Sequence, residues 1–256
     1  MQQVLVVAGS DPSGGAGLEL ATRFFQNINY YTFTVTTALT AQNSRGVQTF
    51  KYVAHPIFLS QLSSISSDYR IDIIKVGLIA DVALIYSFID WYNSIKGAKP
   101  AIIFDPILKS TSESEFFNNK ETLSAMRELI SICDIITPNY KEAMMISTKS
   151  EMKDIINYFR KLGVKGGVIT GGDENSKLAI DYAFTQTKEE KLSYTKIKLD
   201  DEVHGTGCLF SNAITYYYTE TLDIIESAKK AKAMVSFNIR NNIKKLGHGY
   251  YSFILD

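Results

Sequence analysis

The chain has 256 residues, 45% of them hydrophobic, and 27 basic side chains balance 27 acidic ones. That length suits one large α/β domain with a core of ordinary size, and zero net charge gives no electrostatic reason to expect nucleic acid or an anionic membrane as partner. Two cysteines and three histidines, none at metal-site spacing, exclude a disulfide framework, and no apolar run is long enough to span a bilayer.

The opening MQQVLVVAGS has no basic leader, and its apolar run stops at a glycine turn. It reads as a first strand over 4–8 rather than a signal peptide, so a cytoplasmic, reduced protein is expected. A helix is predicted from about Gly17 to Ile28, a strand over 33–40 (FTVTTALT) and a helix from about Pro56 to Ser67. A strand over 71–77 follows, then a helix over Val82 to Ile95 with Leu84, Ile85, Phe88, Ile89 and Tyr92 on one face. Next come a strand over 101–105, a helix from about Lys120 to Ile132, and Cys133 in the apolar run ELISICDIIT, where it reads as core. A strand over 134–137, a helix over Glu151 to Leu162 and a strand over 167–170 complete the alternation. Strands alternating with helices predict a mostly parallel sheet covered on both faces.

The rhythm then changes. AIDYAFT (179–185) and KLSYTKIKL (191–199), joined by TKEE, read as a hairpin or an antiparallel edge. Two helices finish the chain. The first follows HGTGC, with Leu209, Phe210, Ala213, Ile214 and Tyr217 at helical spacing. The last starts near Asp223, with Glu226 completing an approximate capping box and Ile224, Ala228, Ala231 and Val235 as its apolar stripe. The charges in SAKKAKA read as its solvated face. No repeat or linker interrupts the pattern, so residues 1–256 are expected to form a single domain, with STSESEFFNN (110–119) as its mobile segment.

In an open parallel sheet, ligands bind beyond the carboxyl ends of the strands. The notable residues gather there. AGSDPSGGAG (8–17) packs four glycines and a proline into ten residues, and it fits neither the dinucleotide fingerprint nor the Walker spacing. TAQNSRG offers Gln42 and Asn43, DPILK offers Asp105 and Lys109, and TPNYKEA offers Asn139 and Glu142. TGGD and HGTGC add two more glycine turns. HGTGC runs straight into a helix, and a helix N-terminus with unpaired N–H groups is an anion site. Cys208 stands at that junction, where a thiolate is favoured. Glycine turns with Asp, Asn and Glu suit phosphate and magnesium. Each also has a plain alternative. Asp105 before a proline can start a turn, Asn139 with Glu142 can cap a short helix, and Cys208 can be a buried junction residue.

AGSDPSGGAG, TALTAQNSRGVQ, KVGLI, DP, TPNYKEA, GG and HGTGC, in that order, resemble the hydroxymethylpyrimidine/phosphomethylpyrimidine kinases, the thiamin-pathway branch of the ribokinase superfamily. The similarity runs from Val4 to about Phe253. It implies a ribokinase-like three-layer αβα fold with a mostly parallel sheet and an antiparallel edge. It also implies ATP-dependent phosphorylation of 4-amino-5-hydroxymethyl-2-methylpyrimidine and of its monophosphate. Carried over, Gly9, Ala16, Thr40, Gln42 and Leu78 line the pyrimidine pocket. Asn139 and Glu142, assisted by Asp105, hold Mg²⁺, while Thr170, Gly171 and Gly172 lie by the nucleotide. Gly205, Thr206, Gly207 and Cys208 form the anion hole, with Cys208 as the base, its pKa drawn down by the helix terminus. His204 reads as a turn residue. Relatives are usually dimers, so a homodimer is expected; K⁺ dependence is left open.

The sequence departs from the family pattern at four places. Ala21 stands where an aspartate is common, Thr170 where a lysine is common, Lys109 comes about two residues early, and the C-terminal pattern survives only as LGHGYYSF. Two other readings therefore stand beside the first: a pyridoxal kinase of the same branch, and a catalytically weak binding protein that keeps the fold. A sugar kinase is disfavoured by Cys208 and by the short chain.

Overall fold

The computed structural model describes residues 1–108, 120–171 and 178–255. The segment 110–119, Lys109 and Gly172 lie outside the described residues. The first half runs β1 (Gln3–Ser10), α1 (Gly17–Asn27), β2 (Tyr31–Asn43), β3 (Gly46–Tyr52), α2 (His55–Ser66), β4 (Ile73–Val76), α3 (Val82–Ser94) and β5 (Ala101–Phe104). Then come α4 (Lys120–Ser131), β6 (Ile135–Ile136), α5 (Tyr140–Ser147), α6 (Met152–Leu162) and β7 (Gly166–Ile169). The chain closes with β8 (Leu178–Thr185), β9 (Glu189–Thr195), α7 (Thr206–Thr221), α8 (Ile224–Asn241) and the short pair β10 (Ile243–Lys244) and β11 (Ser252–Phe253).

Nine strands form one sheet in the order β3-β2-β1-β4-β5-β6-β7-β8-β9. The stretch from β2 to β7 is parallel, and antiparallel β3 and the β8–β9 hairpin flank it. Both faces are covered, which explains the unbroken apolar run of β1. Val4, Val6 and Ala8 pack toward α1, α7 and α8, while Leu5 and Val7 pack toward the layer of α2 to α6. The three-layer αβα arrangement with an antiparallel edge is the expected one. The chain leaves β1 for β2 on one side and returns to β4 on the other. This reversal opens a crevice at the carboxyl edge next to β1.

The structure adds β3 and the β10–β11 pair to the elements read from the sequence, and it bears out the short helix that Asn139 and Glu142 could cap. The second strand continues to Asn43 and turns back as β3, which pairs from Ala38↔Tyr52 to Asn43↔Gly46. Gln42 and Asn43 therefore belong to a ribbon rather than to the loop after a strand. Asn139 and Glu142 start a distinct two-turn helix, α5. Ala21 is 1% exposed and sits in the core beside Leu20 and Phe25. It lies away from the crevice, so its departure from the common aspartate does not alter the crevice wall.

Candidate active site

The crevice is a cavity of about 260 Å³. The glycine loop contributes Gly9 and Ala16, and the β2–β3 ribbon contributes Thr40 and Gln42. Leu78 comes from the end of β4, Asp105 from β5, and Asn139, Glu142 and Thr170 from the next strand ends. Gly205, Thr206, Gly207 and Cys208 close it. Thirteen residues singled out in the sequence thus share one wall. Gly171 faces an adjoining cavity, which shares Asn139, Glu142 and Thr170 with the first and adds Asp181, Lys196 and Lys232.

The glycine loop is held by its own carboxylates. Asp11, 1% exposed, accepts from the Ser13 N–H at 2.8 Å, the Ser13 hydroxyl at 2.7 Å and the Ala16 N–H at 2.8 Å. Glu19 accepts from the Ser10 hydroxyl and the Asp11 N–H. His204 Nε2 stands 3.0 Å from Asp11 Oδ2, joining the first loop to the HGTGC turn across 193 residues. Burial pushes the Asp11 pKa up, but the hydrogen bonds from His204 and Ser13 outweigh it and leave the carboxyl at about 2. His204 is thus more than a turn residue.

Gly205 caps α7 in the left-handed region, at φ +79°, with its Cα packed against the Gly15 carbonyl, where any Cβ would collide. The first bond of α7 runs from the Leu209 N–H to the Gly205 carbonyl at 2.8 Å. The N–H groups of Thr206, Gly207 and Cys208 therefore have no partner within the helix and point the positive end of its dipole at the cavity. Gly17, at the start of α1, lines the same cavity as Cys208, and its N–H favours the thiolate there. Two helix N-termini converge on one thiol. The sequence expectation of a lowered Cys208 pKa is nonetheless overturned. Burial pushes it up, and Lys75 and the Gly17 N–H only partly offset that. The thiol is only partly exposed, and desolvation of a thiolate there outweighs the dipole.

Asn139 and Glu142 form the full capping box of α5. The Asn139 side chain accepts from the Glu142 N–H at 2.9 Å, and Glu142 Oε2 accepts from the Asn139 N–H at 2.8 Å. The plain capping role is therefore real. Glu142 also accepts from the Leu108 N–H at 3.3 Å, and burial together with the nearby Asp105 carboxylate pushes its pKa up to about 8. Asp105, hydrogen-bonded by the Ser211 hydroxyl at 3.2 Å, is likewise raised by burial, against the pull of Lys75. Among the described residues no group of three or more His, Cys, Asp or Glu could enclose a metal. Two neighbouring, mutually repelling carboxylates, Asp105 buried and Glu142 partly so, do suit a divalent cation that completes its shell with phosphate oxygens and water.

Two further residues were missed at sequence level. Asp181, 1% exposed on β8, accepts from the Gly171 N–H at 3.0 Å and pairs with Lys232 at 2.6 Å, which fixes the turn after β7. Lys75, 2% exposed, lies on the cavity floor. A lone lysine inside the apolar run IDIIKVG was the available signal.

Comparison with known proteins gives the chain a family. The phosphomethylpyrimidine kinase family matches residues 11–253. The hydroxymethylpyrimidine/phosphomethylpyrimidine kinase of Aquifex aeolicus (strain VF5) is 32% identical over 252 residues, covering 96% of this chain and 97% of that protein. A probable chloroplastic thiamine biosynthetic bifunctional enzyme of Oryza sativa subsp. japonica is 32% identical over 240 residues, which span 91% of this chain but only 43% of the longer plant protein. Among solved structures, the ADP complex of Bacillus subtilis pyridoxal kinase superposes with a TM-score of 0.86 at 25% identity, covering 100% of this chain and 97% of that one. The fold is ribokinase-like and the relatives are phosphotransferases, and with the match spanning nearly every residue from the glycine loop to β11, the chain belongs to the phosphomethylpyrimidine kinase family.

Proposed function

We propose that this chain is a thiamin-pathway kinase that transfers the γ-phosphoryl group of ATP to the hydroxymethyl oxygen of 4-amino-5-hydroxymethyl-2-methylpyrimidine, and then to the resulting monophosphate. The observation that carries the reading is the meeting of the α1 and α7 N-termini at Cys208, beside three N–H groups unused by their own helix. Phosphoryl transfer needs little covalent help and much charge stabilisation, and this turn supplies it. Gly205, Thr206, Gly207 and Cys208 serve as the anion hole, and Cys208 takes the hydroxyl proton from its minor thiolate form, so turnover of the alcohol should rise with pH. Gly9, Ala16, Thr40, Gln42 and Leu78 hold the pyrimidine ring in a cavity sized for one small aromatic. Thr170, Gly171 and Gly172 serve the nucleotide. Asp105, Asn139 and Glu142 would hold Mg²⁺, which neutralises phosphate charge when bound. A role for K⁺, a homodimeric state, a single catalytic unit over 1–256 and a cytoplasmic location complete the proposal. Among the described residues no helix is long and apolar enough to cross a membrane.

A second reading, a pyridoxal kinase, is favoured by the likeness to the Bacillus subtilis enzyme. The deciding experiment is ATP turnover with Mg²⁺ on the pyrimidine alcohol, its monophosphate and pyridoxal as separate acceptors. Turnover of the first two with little on pyridoxal is expected. Turnover of pyridoxal alone would move the protein to the second reading. Silence on all three from protein that still binds ATP would leave a binding protein of the same fold.

A further inference from the structure

Lys75 occupies a position where a lysine is costly. It lies within IIKV of β4, a strand whose four residues are all buried, and it keeps 2% exposure. A buried ammonium is tolerated only against a compensating charge, here the fully enclosed Asp105 of the neighbouring strand. Gly77 fixes where the ammonium goes. A Cβ at residue 77 would stand 2.7 Å from Lys75 Nζ and 3.2 Å from the Ala8 Cβ. The side chain therefore runs along the strand to the carboxyl edge, and the missing Cβ is the gap through which the ammonium reaches the cavity floor. Its field is felt at both Asp105 and Cys208, so it reaches the place where phosphate chemistry would occur.

The cavity thus has two kinds of positive potential, the helix N-termini of α1 and α7 and the side-chain charge of Lys75. One transferred phosphoryl group needs only the first. A phosphorylated acceptor brings a second anion into the same cavity. Its reacting oxygen, as the dianion, has no proton to lose: the oxygen forms a bond to the γ-phosphorus as the bond to the ADP oxygen breaks, and ADP leaves with that electron pair. Such a step calls for charge neutralisation rather than a base.

We propose that the Lys75 ammonium, admitted through the gap at Gly77, is the ligand for the acceptor's own phosphate and is what allows the site to use the monophosphate as well as the alcohol. This rests on the kinase reading above. The test compares wild type, Lys75→Met and Gly77→Ala, the last keeping the charge but displacing it. The readouts are kcat/KM for the alcohol and the monophosphate, and calorimetric binding of each without ATP. Removing a charge-assisted hydrogen bond made to the monophosphate alone should lower the monophosphate-to-alcohol ratio at least about tenfold in both variants. Cys208→Ala should move the ratio the opposite way, since only the alcohol has a proton to give up. An equal fall on both acceptors, or equal loss of binding for both ligands, would overturn the assignment. If wild type turned over neither acceptor, the kinase reading would fail, while the binding comparison would still decide the role of Lys75. If Lys75→Met failed to fold, Gly77→Ala would decide it.

Discussion

The two cysteines show how one side chain takes opposite characters. Cys133 is 4% exposed, donates to the Leu129 carbonyl at 3.1 Å and has its pKa pushed well up by burial and by Asp134. It is a small core hydrophobe. Cys208 stands in the first turn of α7 on the cavity wall, which the start of α1 also lines. Cys208→Ala should lower turnover of the alcohol about a hundredfold, the usual loss for a general base. Cys133→Ala should cost stability and leave turnover within a few-fold, as steady-state rates and melting curves on both variants would show. Asp11 gives a pH prediction. Its folded pKa of about 2 lies below its ordinary 3.8, so its contribution to stability is complete above pH 3.8 and is lost as the pH falls from 3.8 to 2. Asp11→Asn should flatten the melting temperature across that window, measured by thermal scans from pH 2 to 5. Asp11 was visible in AGSDPSGGAG, but nothing local pairs it with His204, because the pairing exists only once the sheet is built.

At the scale of elements, α5 bears out the capping reading of NxxE, and the proposed Mg²⁺ role would use the same two side chains. Asn139 and Glu142 cap the helix, and the same box holds a half-buried Glu142 within reach of the Asp105 charge. Asn139→Ala should therefore cost about 1 kcal/mol, typical of a lost cap, and also raise the Mg²⁺ concentration giving half-maximal rate several-fold. Asn139→Asp, which keeps an oxygen for the Glu142 N–H, should restore the stability. Urea unfolding and Mg²⁺ titration of the rate measure the two effects separately. The parallel strands and their helices were legible because buried strands read as apolar runs and helices as 3.6-residue stripes. The β8–β9 hairpin was legible from its alternation. The strand β3 was not: GVQTFKY keeps most positions open to solvent, so its pairing with β2 leaves little apolar pattern. The start of α8 at Asp223 was legible too, since its side chain accepts from the Ile225 and Glu226 N–H groups at 2.9 Å.

The whole molecule adds a closure that no segment announces. The C-terminal run LGHGYYSF looked like the remnant of a pattern, yet it fastens the site. The Tyr250 N–H donates to the Ser44 carbonyl at 2.7 Å, at the tip of the β2–β3 ribbon that presents Gln42. One residue on, Tyr251 bridges to Val203, and its carbonyl accepts from the His204 N–H at 2.9 Å. The Tyr250 ring stacks on His204 with centroids 5.5 Å apart and planes at 25°. The β2–β3 ribbon and the HGTGC turn are thus set relative to each other by a strap some two hundred residues downstream of the ribbon. Gly249 is its tightest point, because a Cβ there would collide with the Ser44 carbonyl. Gly249→Ala must push the strap off the ribbon while leaving the nine-stranded sheet untouched. The strap's own strand pair, β10–β11, stands apart from that sheet, so the far-ultraviolet spectrum should be unchanged and the melting temperature should fall only slightly. The acceptor KM should rise several-fold or more, with the KM for ATP little affected, since the Gly171 turn is anchored by Asp181 on the opposite side of the sheet. A parallel rise in both KM values would mean that the strap supports the whole edge rather than the acceptor side, and steady-state kinetics with each substrate varied in turn separates the two outcomes.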